Sequence, residues 1–140
     1  MAGVGIAATA VILATTLVMG AETTTTTATV TKISCVGTAV NAREASIDTA
    51  MTAFTTATNA SYAARATALR QAYASTTLSG VKAAVRAAWA TFNASEKSTR
   101  KTWQTARNAA WATYRTTAVA CKAPSGTGDG VNSASESSGD

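Results

Sequence analysis

The segment VKAAVRAAWATFNASEKSTRKTWQTARNAAWATY, Val81 to Tyr114, decides how the chain folds. Four of its large residues, Val81, Phe92, Trp103 and Tyr114, recur every 11 positions. Eleven residues in three turns is about 3.67 per turn, so a helix with this repeat holds them in a nearly straight, slightly right-handed stripe. Alanine is frequent between them and Pro124 is the only proline in the chain, which favours long helices over sheets. No seven-residue series carries large residues through the segment, so a heptad coiled coil fits less well. One point invites a break: in Asn93-Ala-Ser-Glu-Lys97, Ser95 has the chemistry to cap a new helix.

The same period continues upstream, with Val36, Ile47, Thr58 and Leu69 in one series and Val40, Met51, Tyr62 and Tyr73 in another. It predicts helices over 36–74 and 81–121, each about 60 Å long. Between them STTLSG, Ser75 to Gly80, supplies capping hydroxyls and a glycine that relaxes the backbone. Folding the chain back pairs Tyr73 with Val81, Leu69 with Val85, Tyr62 with Phe92, Met51 with Trp103 and Val40 with Tyr114. Every pair of indices sums to 154, which centres the hairpin on Thr77, inside the expected turn. The expected fold class is therefore all-α, a long antiparallel two-helix hairpin. Cys35 and Cys121, the only cysteines, have indices summing to 156 and fall at its open end. They are expected to form a disulfide that clasps it.

The flanks differ in composition from this centre. MAGVGIAATAVILATTLVMG has no charged side chain before Glu22 and reads as a signal peptide or, with about 19 uncharged residues, an uncleaved membrane anchor over residues 1–21. Either exports the rest, into a compartment where a disulfide persists. Residues 22–34 are threonine-rich and read as an extended spacer, and 124–140, rich in Gly, Ser and acids, as a disordered tail. Residues 35–123 form the hairpin. Between Val36 and Cys121 ten Lys or Arg stand against three acids, whereas every charge after Pro124 is negative.

At about 98° per residue the hairpin divides into faces. One side of each helix carries almost only Ala, Ser and Thr, including Ala57 and Ala106, and in an antiparallel pair the two strips merge into one neutral platform. Such a platform suits close packing against a second copy; the plainer reading is a neutral solvated surface. On the opposite side of the second helix Lys82, Arg86, Lys97, Lys101 and Arg115 share an arc, edged by Trp89, Arg100 and Trp111. Cations interleaved with aromatics suit a polyanion, either nucleic acid or an anionic envelope polymer. The plainer reading is a charged face with the tryptophans extending the core beneath Lys and Arg stems.

Catalysis lacks its parts. There is no histidine, no Gly-rich phosphate loop and no thiol beside a base, and the helical carboxylates are only Glu44, Asp48 and Glu96. In the expected register Glu96 faces Thr58, roughly 15 Å along the axis from Asp48. Glu44 and Asp48, one turn apart, are close enough to share a cation, but two cysteines and these acids make no metal set, and no cofactor is expected. Asn59-Ala-Ser61 and Asn93-Ala-Ser95 both fit the N-glycosylation acceptor pattern.

RAAWATF (Arg86 to Phe92) and NAAWATY (Asn108 to Tyr114), with RQAYAS (Arg70 to Ser75) as a looser copy, resemble segments of small exported Ala-rich proteins of candidate phyla radiation bacteria. The resemblance spans roughly Cys35 to Cys121 and implies export and a helical fold; it supplies no activity and no site residues. The expected function is that of an exported, non-catalytic structural protein at the cell surface or outside the cell. It would self-associate through the Ala/Ser/Thr side and meet a membrane only through an uncleaved N-terminal segment. The alternative is a polyanion-binding surface module using the basic stripe.

Overall fold

A computed structural model describes residues 20–130, so the expected leader (apart from Gly20 and Ala21) and the last ten residues of the tail lie outside the described residues. Two helices, α1 (Gly20–Ala72) and α2 (Leu78–Ala120), pack against each other as an antiparallel hairpin, and no strand occurs among the described residues. None of the described helices is long and apolar enough to cross a membrane.

α2 runs unbroken through Asn93–Lys97, which settles the break in favour of one helix. Ser95 does not cap; its hydroxyl meets that of Ser61 on α1, 2.6 Å away across the seam. The start of α2 is capped by Thr77, whose backbone is extended (φ −122°, ψ 139°) and whose Oγ1 accepts from the Gly80 amide at 3.2 Å. Gly80 thus lies within the first helical turn. Its smallness is what matters, because a Cβ there would run into the Ser75 hydroxyl and approach Thr77 Oγ1 to 2.8 Å.

Two boundary expectations are corrected. α1 does not begin near Val36: the threonine-rich segment is already helical from Gly20. No Gly or Pro separates Ala21 from Val36, and adding residues to an existing helix is far easier than nucleating one. The threonine hydroxyls bond back along the helix, as Thr31 Oγ1 does to the Thr27 carbonyl at 3.0 Å, so they compete little with the ladder. The second correction is the start of the tail. Lys122 takes a left-handed turn (φ 51°), and 124–130 fold back onto the hairpin instead of leaving it.

The register holds in outline and shifts in detail. Tyr62 meets Phe92 edge to face with ring centroids 4.9 Å apart, and Val40 packs against the cluster that contains Tyr114. Trp103, however, meets Phe54 at 6.2 Å, leaving the expected partner Met51 largely exposed. Tyr73 is exposed as well, because α1 ends at Ala72 and the chain turns away before Val81. The core is thin and lies toward the open end: Ala39, Ile47, Ala110, Trp111 and Tyr114, joined by Val40, Trp103 and Ala118. Toward the turn the buried residues are small, such as Ala72 and Ala88.

Candidate functional site

Cys35 and Cys121 face each other at disulfide distance, Cα to Cα 5.7 Å. They close the open end one residue before Val36 and one residue past Ala120, the end of α2, as their place on the hairpin axis predicts. α1 projects past this clasp toward Gly20, and Val30 and Ile33 on that projection are exposed.

The WAT-aromatic repeat of α2 builds two matching constellations with α1. In the first, the guanidinium carbon of Arg43 sits 4.0 Å from the Trp111 ring centroid and 4.6 Å from that of Tyr114, and the two rings meet edge to face at 5.6 Å. In the second, Arg65 sits 4.6 Å from Trp89, 4.3 Å from Phe92 and 4.7 Å from Tyr62, and Trp89 meets Phe92 edge to face at 5.8 Å. The arginines are 22 residues apart on α1 and their aromatic partners 22 apart on α2. Two 11-residue periods up one helix match two periods down the other, which is why both sites assemble alike. A guanidinium over aromatic faces is attracted by the ring quadrupole, by about 0.5–2 kcal/mol depending on desolvation.

The first constellation is closed by the chain itself. Arg43 Nη1 and Nη2 donate to the two carboxylate oxygens of Asp129 at 2.8 and 2.7 Å, and its Nε donates to Glu44 at 2.9 Å, with Nη2 also contacting Glu44. The Asp129 amide donates to the Tyr114 hydroxyl at 3.3 Å. These contacts move the local titrations. Hydrogen bonding to Arg43 holds the Asp129 carboxyl below its ordinary range, and burial, then the contact with Asp129, raises the Tyr114 phenol. The Arg43 guanidinium is pushed further up, chiefly by its bond to Asp129.

The expected polyanion residues divide. Lys82, Arg86, Lys97, Arg100, Lys101 and Arg115 are exposed, and Trp89 is 43% exposed. Trp111 does not belong with them: it is 2% exposed, the largest fully buried side chain, and no base has access to stack on it. It extends the core beneath a cation, the cation being Arg43 of the other helix. Asn59 and Asn93 are exposed. Glu44 contacts Arg43 through Oε1, and no group of three metal-ligating side chains occurs among the described residues. The polar middle of α2 is buried in part. Arg107 reaches Asn108 Oδ1 at 3.2 and 3.3 Å, while Glu96 Oε1 and Thr58 Oγ1, opposite each other in register, have no hydrogen-bond partner.

The two small-residue strips fall on one side of the seam, as the wheel predicts. They line three successive shallow depressions along the hairpin. Ala64, Ala84 and Ala87 line the one near the turn, Ala57 and Ala106 the middle one, and Ala42 and Ala109 the one near the clasp. Arg65 and Phe92 border the first, and Arg43 and Tyr114 the last.

Arg43, Arg65 and Asp129 are the residues that sequence reasoning missed. The two arginines carried a signal, since their spacing equals that of Trp89 and Trp111. Asp129 carried none, as it stands in a Gly-rich segment with no periodicity. Comparison with protein families, curated proteins and solved structures finds nothing that matches this chain.

Proposed function

We propose that this chain is an exported structural protein that associates with copies of itself through the Ala/Ser/Thr side of the hairpin, without catalysing a reaction. The observation that supports this most is the run of three shallow depressions, lined mostly by Ala, Ser and Thr, along one side of a molecule whose own core is thin. A two-helix face about 60 Å long and about 18 Å wide offers roughly 1,000 Å² per copy, above the roughly 800 Å² per partner of a standard specific interface. A second copy suits this face because most of its lining is Ala, Ser and Thr, with Arg43 and Arg65 only at the edges of the outer two depressions. Export is supported by the apolar leader and by the facing cysteines, which suit an oxidising compartment.

Sedimentation of the oxidised protein tests the reading. Wild type should assemble as its concentration rises, and the double substitution Ala57→Glu with Ala106→Glu should leave monomer with unchanged helicity. Equal sedimentation of the two proteins refutes the reading.

A second reading, polyanion binding by α2, is supported by six exposed cations and exposed Trp89. It predicts a monomer that retains DNA in a salt-sensitive manner.

A further inference from the structure

The two arginine–aromatic constellations are built alike, but only one is closed. Arg43 holds Asp129 through two parallel hydrogen bonds, and its Trp111 is 2% exposed. Arg65 makes no ion pair or side-chain hydrogen bond among the described residues, and its Trp89 is 43% exposed. We propose that Arg65, Trp89 and Phe92 form a second carboxylate-binding site, filled by Glu136 from the C-terminal segment of another copy of this chain.

The chemistry follows from what stacking does to a guanidinium. Aromatic rings cover its faces and hold its plane, and the N–H groups that remain lie in that plane, where a carboxylate matches them two at a time. Arg43 with Asp129 is a worked instance within the same molecule. That instance also identifies the occupant, since the segment carrying Asp129 is the one that continues to Glu136. Reach disfavours Glu136 of the same chain, which would need a fully extended backbone and side chain. It lies seven residues beyond Asp129 and extends at most about 24 Å, whereas 22 helical residues separate the two sites by about 33 Å. Charge favours the exchange, because the helical region is basic and every charge after Pro124 is acidic. Arg65 and Phe92 border the depression near the turn, whereas Ala57 and Ala106 line the middle one, so a double substitution at those two alanines separates this site from that reading.

The test uses the intact oxidised protein, labelled with ¹⁵N, and a peptide of residues 131–140, VNSASESSGD. Trp89→Phe identifies the Trp89 indole signal among the three. On titration that signal should move saturably while those of Trp103 and Trp111 stay in place. Arg65→Met in the protein, or Glu136→Gln in the peptide, should each weaken the response at least tenfold, and Ala57→Glu with Ala106→Glu should leave it intact. A response that survives either Arg65→Met or Glu136→Gln, movement of all three indoles, or none up to millimolar peptide overturns the proposal. So does a Trp89 signal already displaced at every dilution without peptide and restored by Asp140→Asn, which would place the chain's own last acid at Arg65.

Discussion

Arg43 and Asp129, 86 residues apart, join through two parallel hydrogen bonds of 2.8 and 2.7 Å, and this pair ties the start of the tail to the clasp end of the hairpin. Arg43 is 5% exposed but Asp129 keeps 40% of its surface in water, so screening limits what the pair contributes to about 1 kcal/mol. Asp129→Asn should loosen residues 124–130, seen as faster amide exchange there, with little change in melting temperature. The folded carboxyl titrates below its unfolded value, so its contribution is complete above about pH 4 and disappears as pH falls through the folded value. Tyr114 acts at the other end of the scale. Its raised phenol favours the neutral folded form, so its contribution is intact below about pH 10 and is lost as pH rises through the folded value. A stability profile of Asp129→Asn that still falls in acid as steeply as wild type would separate the fall from this pair.

The disulfide should carry a large share of the stability. A bridge closing a loop of this length, Cys35 to Cys121, stabilises by up to roughly 4.6 kcal/mol in the chain-entropy model. Reduction should lower the urea midpoint without changing far-ultraviolet helicity in buffer. Under denaturing conditions the mass should be that of one chain with and without reductant, since both cysteines belong to one hairpin.

Two glycines should respond oppositely to alanine. At Gly37, in the interior of α1, an added methyl meets nothing within 4 Å, so Gly37→Ala should stabilise by about 0.5–1 kcal/mol. At Gly80 the same gain in helix propensity is offset by displacing the Thr77 cap, which contributes about 1 kcal/mol. Gly80→Ala should therefore be neutral or destabilising. Thermal melts of the two variants decide this.

The two repeated tryptophans should differ as their burial does. Trp111→Ala removes the largest fully buried side chain and should cost about 3–5 kcal/mol, enough to unfold much of a small hairpin. Trp89→Ala should cost clearly less, because Trp89 is partly in water already. Equal losses in chemical denaturation would mean that the second constellation bears as much load as the first.

The helices, their antiparallel return, the facing cysteines and the side on which small residues collect were legible because they follow from one period. Val81, Phe92, Trp103 and Tyr114 declare 3.67 residues per turn, and the matching series on α1 leaves one way to bring the stripes together. Neighbours finer than a turn were not legible. Phe54 replaces Met51 against Trp103 because side chains three residues apart share nearly the same face, and the larger ring wins the space.

Periodicity alone therefore determined the element type, the hairpin axis and the neutral side. Tertiary structure decided which tryptophan is core and which is surface, and which arginine is answered by a carboxylate. Trp89 and Trp111 stand in nearly identical local sequence, WATF and WATY, so no local property separates them. Their sites differ in the returning tail: the turn at Lys122 brings Asp129 to Arg43, while among the described residues no carboxylate meets Arg65. That contact spans 86 residues and depends on where the chain returns in space, which no window of sequence contains.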